Sequence, residues 1–312
     1  MRSNHRRLVR RATAGPRTVG ALLVMLLAGA ALLTACSAQA TTGGVSSAGG
    51  DAAAGAKAAA GADWSHVLQV VANLKADPPG KPVVILLGGS AARESTIGDN
   101  SWRAQIEAGK GPATAAYNLG SSNRTLAQNV AIVQALPKVP AILYIGINVG
   151  VFTSAQKTAT ISLPKPITPL PPYRQHRYSQ SRILSAARKK TLLDEWLVKR
   201  YPVFKKNYAS NLKTLDKLLV ACKQRGLHPV LFELPLNTAI IGHALDAPVA
   251  RYTSGCRALA RKHGVPWVSF VSTAPLPNAD FYDLWHLVEP GRIVWQKLLS
   301  AKTAEFLEKY GL

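Results

Sequence analysis

Four short stretches of the chain hold residues able to break or make an acyl bond. Leu87-Gly88-Gly89-Ser90 ends an apolar run and leads into Ala91-Ala92-Arg93-Glu94, so a serine sits on a tight glycine turn that opens towards a helix. Such a hydroxyl stands exposed, with the positive end of the helix beside it. Alone, a Gly-Gly-Ser stretch is an ordinary turn. Asp283-Leu284-Trp285-His286 places a carboxylate three residues before an imidazole. A serine nucleophile needs a base, and a histidine base needs a carboxylate to hold its tautomer; one rigid turn can supply both. Alone, a histidine of this kind is more often a hydrogen-bonded structural residue. Asn118-Leu119-Gly120 and Gly146-Ile147-Asn148 complete the set. A Gly120 N–H and an Asn148 amide could both donate to a developing oxyanion, although each taken singly reads as turn chemistry.

These residues can act together only if the fold brings them to one place. Val83–Leu87 is a continuous apolar run closed by glycines, the pattern of a buried parallel strand. Further strands are expected over residues 113–119, 141–145, 229–234 and 266–270. Helices are expected over 125–136, 208–225 with Gly226 as its stop, 248–263 with Gly264 after it, and 290–310. Alternation of this kind predicts a single three-layer α/β/α domain over 63–312 with an open, mainly parallel five-stranded sheet. Ligands of such sheets bind beyond the carboxyl ends of the strands. Ser90, Gly120, Asn148 and the Asp283/His286 turn all follow strands. Residues 151–206 interrupt the alternation with Pro164, Pro166, Pro169, Pro171 and Pro172, then the stretch Tyr173–Tyr178, and read as a lid or substrate wall.

In this order the four stretches resemble the blocks of the SGNH (GDSL-like) hydrolase superfamily, which carry Ser, Gly, Asn and His. The likeness covers roughly 82–312 apart from the insert. It implies a flavodoxin-like sheet, Ser90 as nucleophile, His286 as general base and Asp283 as its orienting acid. It also implies an oxyanion hole made from the Ser90 and Gly120 N–H groups and the Asn148 amide. Gly89 stands where the best-known form of the family has Asp, and Val149 where Asp often follows the Asn, so the chain resembles a divergent branch. Asp280 competes with Asp283 as partner for His286, but its spacing of six residues fits less well than three. The pair Arg93-Glu94, one helical turn after Ser90, reads as a surface pair, with Arg93 as the alternative substrate contact.

The reaction implied is acyl transfer through an acyl-enzyme. With water as second nucleophile the chain is an esterase acting on an ester-bearing small molecule, lipid or polysaccharide of the cell envelope. With a sugar hydroxyl it is an O-acyltransferase, and an envelope-binding protein that keeps the fold without catalysis is the reading from another class. No cofactor and no metal are implied: the chain has neither G-x-G-x-x-G nor a Walker-type loop, no C-x-x-C, and no H-x-x-x-H.

The chain of 312 residues has 38 Lys and Arg against 16 Asp and Glu, a formal +22 that invites a nucleic-acid reading. Its distribution argues otherwise. Six arginines precede the uncharged run from Thr18 to Ala35, the pattern of an export signal. Leu33-Thr34-Ala35-Cys36 resembles the lipobox of bacterial lipoproteins, which implies cleavage of residues 1–35 and lipidation at Cys36. An uncleaved membrane anchor is the alternative. Residues 36–62, rich in Ala, Gly and Ser, read as a tether, placing the domain on the outer face of a bacterial membrane. The insert 151–206 carries 12 bases against two acids. It is expected to face anionic lipid or acidic envelope polymer, through bases such as Arg188-Lys189-Lys190, unless it is simply a solvated basic face. No nucleic-acid partner is expected. Cys222 and Cys256, the thiols left in an exported chain, could pair as a disulfide; two buried free thiols are the alternative.

Overall fold

Five parallel strands form the centre of the molecule because their residues are apolar on both faces. They are β1 (Val83–Gly88), β2 (Ala115–Gly120), β3 (Ala141–Ile147), β4 (His228–Glu233) and the short β5 (Trp267–Val268). Their order across the sheet is β2-β1-β3-β4-β5. The computed structural model describes residues 48–312 apart from Lys110, Pro171, Pro172 and residues 174–176. The proposed export signal and Cys36 lie outside the described residues. Among those described, no helix is long and apolar enough to cross a membrane.

Alternate side chains of each strand enter two cores. Ile85, Leu87, Leu143, Ile145 and Leu231 pack under one helical layer, formed by α1 (Ala48–Ala76), α4 (Leu126–Ala135), α6 (Tyr201–Gln224) and α8 (Asp246–His263). Val84, Leu86, Ile142, Tyr144 and Phe232 face the other layer, which holds α2 (Ser90–Arg93), α3 (Asp99–Ala108) and α9 (Glu289–Tyr310). The two remaining helices, α5 (Ala186–Glu195) and the single turn α7 (Thr238–Ile241), lie beyond the carboxyl edge. This is the single open α/β domain that the alternation of runs predicts.

Three details differ from the sequence expectation. First, α1 begins at Ala48, within the stretch whose composition suggests a tether. Alanine is the best helix former, and Val67, Val70, Val71 and Leu74 recur at i, i+3, i+4 and i+7 to bury one face of the helix. Second, residues 186–206 of the insert are helical: α5 runs through a π-helical turn (Trp196–Arg200) directly into α6. The extended part of the insert therefore ends before Ala186. Third, Cys222 and Cys256 are both buried and not bonded. Each fills core space on the inward face of its helix as a small hydrophobe, and burial raises both thiols, Cys222 to about 12.

At the carboxyl edge, Gly88 and Gly120 stand opposite each other in register at the ends of β1 and β2. A methyl group on Gly120 would lie 2.3 Å from the Arg93 nitrogen, and one on Gly88 would lie 2.6 Å from the Ala92 Cβ. Both glycines are needed so that α2 can sit directly on the strand ends. Gly120→Ala should therefore cost about 1–3 kcal/mol by overpacking against backbone. Gly89→Ala, whose added carbon meets nothing within 4 Å, should stay within about 1 kcal/mol. Urea denaturation of the two variants checks the difference.

Candidate active site

Ser90 is the first residue of α2, reached from β1 through Gly88 and Gly89. At that position its N–H has no acceptor within the helix. Its side chain meets a residue 196 positions away: Ser90 Oγ lies 2.8 Å from His286 Nε2. The other ring nitrogen, His286 Nδ1, lies 2.7 Å from Asp283 Oδ2. The second carboxylate oxygen of Asp283 accepts the backbone N–H groups of Trp285 and His286 at 3.0 and 2.9 Å. The tetrapeptide thus folds over its own aspartate, as short acidic side chains at turns do. Tyr282 N–H to His286 C=O and the bridge between Phe281 and Leu287 close the turn on both sides.

Burial acts to raise the Asp283 carboxyl. The facing His286 and three N–H donors outweigh it and hold the group below its ordinary range. Asp280 makes no hydrogen bond to His286; its carbonyl accepts the Val288 N–H instead.

The oxyanion-hole candidates are placed unequally. Asn148 caps a 3₁₀ turn (Val149–Thr153), accepting the Val151 N–H on Oδ1 at 3.2 Å. That bond turns its Nδ2 group into the available donor. The Gly120 N–H, by contrast, donates to Asn118 Oδ1 at 2.9 Å. What Gly120 contributes in this structure is the close approach of α2, while its N–H is already engaged.

Arg93 and Glu94 are not a surface pair. Both are buried at 2% and 0% exposure. Arg93 donates to Asp63 at 2.7 Å, to Glu94 at 3.0 Å and to Ser122 Oγ at 3.1 Å. Glu94 in turn accepts Arg292 at 2.7 Å. A buried chain of alternating charge, Asp63–Arg93–Glu94–Arg292, therefore runs beside the helix that starts at Ser90. Desolvation forces this alternation, since a buried charge is tolerable only with a partner. With its guanidinium engaged there, Arg93 is a structural cation and not a free substrate contact.

The insert crosses the same edge. Tyr173 stacks on His66 and donates to Asp63 at 2.6 Å. Tyr178 stacks on Tyr282 at 4.1 Å and leans on the His286 ring at 4.8 Å, with Trp285 against the same ring at 6.4 Å. Backbone groups of Tyr178 bond Glu94 and Arg292. No spacing in the sequence marks Tyr178 as a partner of residue 286. A cavity of about 840 Å3 lies to one side, lined by Asp99, Arg103, Tyr117, Tyr173, Arg177 and Arg292 among others. None of Ser90, Asp283 and His286 lines it.

No family model matches the chain, and no curated protein does. Among solved structures it is similar to the acetyl xylan esterase AlAXEase, with 14% identity, 70% of this chain and 98% of that one covered, and a TM-score of 0.41. It is similar to BT4096, a gut microbial diltiazem-metabolizing enzyme, with 12% identity, coverage of 72% and 48%, and a TM-score of 0.42. LAE5, an α/β hydrolase from the metagenome of Lake Arreo in Spain, shows 17% identity, coverage of 72% and 96%, and a TM-score of 0.35. Similarities this distant say nothing further of the chain's own chemistry.

Asp283 carries a pH signature. Its depressed carboxyl adds stability above the ordinary carboxylate range, and that stability is lost as pH falls through the folded-state value. Asp283→Asn should therefore be less stable than the parent near pH 7, with the gap closing below about pH 4. Denaturation midpoints at the two pH values test this; a gap independent of pH would contradict it.

Proposed function

We propose that the chain is a serine ester hydrolase of the SGNH type, and the observation that carries this reading is the unbroken hydrogen-bonded line Ser90–His286–Asp283. The roles follow from the atoms. Ser90 Oγ attacks the ester carbonyl while His286 Nε2 takes its proton, and Asp283 stabilises the imidazolium through Nδ1. The tetrahedral oxyanion accepts from the Ser90 N–H and the Asn148 Nδ2 group. His286 then returns the proton to the leaving alkoxide oxygen, releasing the alcohol and leaving Ser90 acylated. A water molecule deprotonated by His286 attacks that ester, and the acid departs as the serine proton is restored. Tyr178, Tyr282 and Trp285 keep bulk water from the imidazole, which strengthens each of these interactions.

The place of action we propose is the cell envelope. An export signal over 1–35, lipidation at Cys36 and a linking segment would hold the domain at the outer face of a bacterial membrane. Its substrates there are ester-linked acyl groups on carbohydrate or lipid. Exposed bases on the helical part of the insert, including Lys190, Arg200 and Lys206, suit an anionic surface. Lys189, between the exposed Arg188 and Lys190, does not belong to that face, since it is wholly buried.

Ser90→Ala should lower the hydrolysis of short p-nitrophenyl esters on the order of a thousandfold or more. A fluorophosphonate probe should label the parent protein at Ser90 and fail to label His286→Ala. Absence of both turnover and labelling in the parent protein would leave a non-catalytic binding role in its place.

The surface reading has its own check. Each base close to an anionic bilayer adds about 1 kcal/mol of attraction. Neutralising Lys190, Arg200 and Lys206 to Gln in the compact unit Ser47–Leu312 should weaken partitioning to phosphatidylglycerol vesicles on the order of a hundredfold. Unchanged partitioning would make this face merely solvated.

A further inference from the structure

Lys189 lies on α5 between the exposed Arg188 and Lys190, yet its side chain is 0% exposed. Its ammonium forms no ion pair among the described residues. All of its acceptors are neutral: the Asn278 carbonyl at 3.0 Å, Asn278 Oδ1 at 2.7 Å and the Phe281 carbonyl at 2.7 Å. Three N–H donors meet three oxygens, which is the full capacity of the group.

Those oxygens belong to the segment just ahead of Asp283, and a second buried residue continues the grip. Asn237, also 0% exposed, donates through Nδ2 to Asn278 Oδ1 and to the Asp283 carbonyl, both at 3.0 Å. Its backbone N–H goes to the Leu284 carbonyl at 2.9 Å. Leu184, in the insert just before α5, donates its N–H to the Tyr282 carbonyl at 3.1 Å. The carbonyls of residues 278, 281, 282, 283 and 284 are thus all held from outside the turn. The insert holds three of them, through Lys189 and Leu184, and places the Tyr178 ring on His286 as well.

An apolar residue of similar volume could fill the Lys189 site without the cost of desolvating an ammonium. What an apolar residue could not do is satisfy and align a row of buried carbonyls. We infer that Lys189 is a positioning residue for the Asp283–His286 turn, acting through Asn278 and the 278–284 backbone, so that docking of the insert and assembly of the triad are one event. The insert is then a structural part of the active site, not a cover added to it. The kinetic consequence rests on the hydrolase reading; the geometric one does not.

The test compares the full chain with Lys189→Met, which keeps length and volume and removes the three donors. Proton NMR of the histidine-bound Nδ1–H of His286 reports the bond to Asp283 without substrate. In Lys189→Met that resonance should shift or broaden away, while cooperative unfolding is retained. With p-nitrophenyl acetate, kcat should fall on the order of a hundredfold, as for a misplacement of about 1 Å, and KM should stay within about twofold. A folded Lys189→Met with unchanged resonance and unchanged kcat overturns the inference. If that variant does not fold, Asn278→Ala, which removes only the side-chain bridge between Lys189 and Asn237, is read by the same resonance and the same criterion. A parent protein that turns over no ester, but whose His286 resonance responds to Lys189→Met, would refute the hydrolase reading and leave the positioning role standing.

Discussion

Glu94 is the point on which the carboxyl edge of this sheet depends. One buried carboxylate receives Arg93 from α2, Arg292 from α9 and the backbone N–H of Tyr178 from the insert. Three segments that are remote in sequence are thereby locked around Ser90. Such a group tolerates no loss of a partner, because an unpaired charge at that depth costs about 3–5 kcal/mol. Asp63, which takes the far side of Arg93, brings α1 into the same arrangement. Ser90 is therefore set in a frame of ion pairs, while His286 and Asp283 sit on a turn whose carbonyls are held by Lys189, Asn237 and Leu184.

The close approach allowed by Gly88 and Gly120 sets Ser90 against the strand ends. Asp283 orients the His286 ring locally, and the loop contacts hold its turn from outside. The Lys189 ammonium is spent on the oxygens of Asn278 and Phe281. The 196-residue gap between Ser90 and His286 is then bridged by a hydrogen bond, with Arg292 and Tyr178 touching both the ion-pair frame and the His286 turn.

The insert changes character between sequence and structure. Its basic composition and prolines read as a lid or a charged surface, and its helical half does expose bases. Its other part does internal work: Tyr173 on His66 and Asp63, Tyr178 on Glu94, Arg292 and His286, and Leu184 on Tyr282; from the helical half, Lys189 joins them on Asn278 and Phe281. A lysine in a basic run looks solvated from composition alone, because charge patterning cannot show which one of three successive bases points inward. Helical phase decides that, and the phase is set by Leu193 and Trp196 packing below.

The sequence by itself determined the strands, their parallel arrangement and the residues that follow each of them. Apolar runs ended by glycine encode buried strands locally, and parallel strands must all present their carboxyl ends to one edge. It also determined the Asp283–His286 pair, since three residues of separation let one turn satisfy both groups. Only the tertiary structure decided that Ser90 meets His286, that Arg93 and Glu94 are interior, that the Gly120 N–H is spent on Asn118, and that Cys222 and Cys256 stay unbonded. All but the Gly120–Asn118 bond depend on how helices settle against the sheet across distances where no periodicity reaches. Side-chain pairing there is chosen by desolvation: a buried donor or charge takes whichever partner packing leaves within reach.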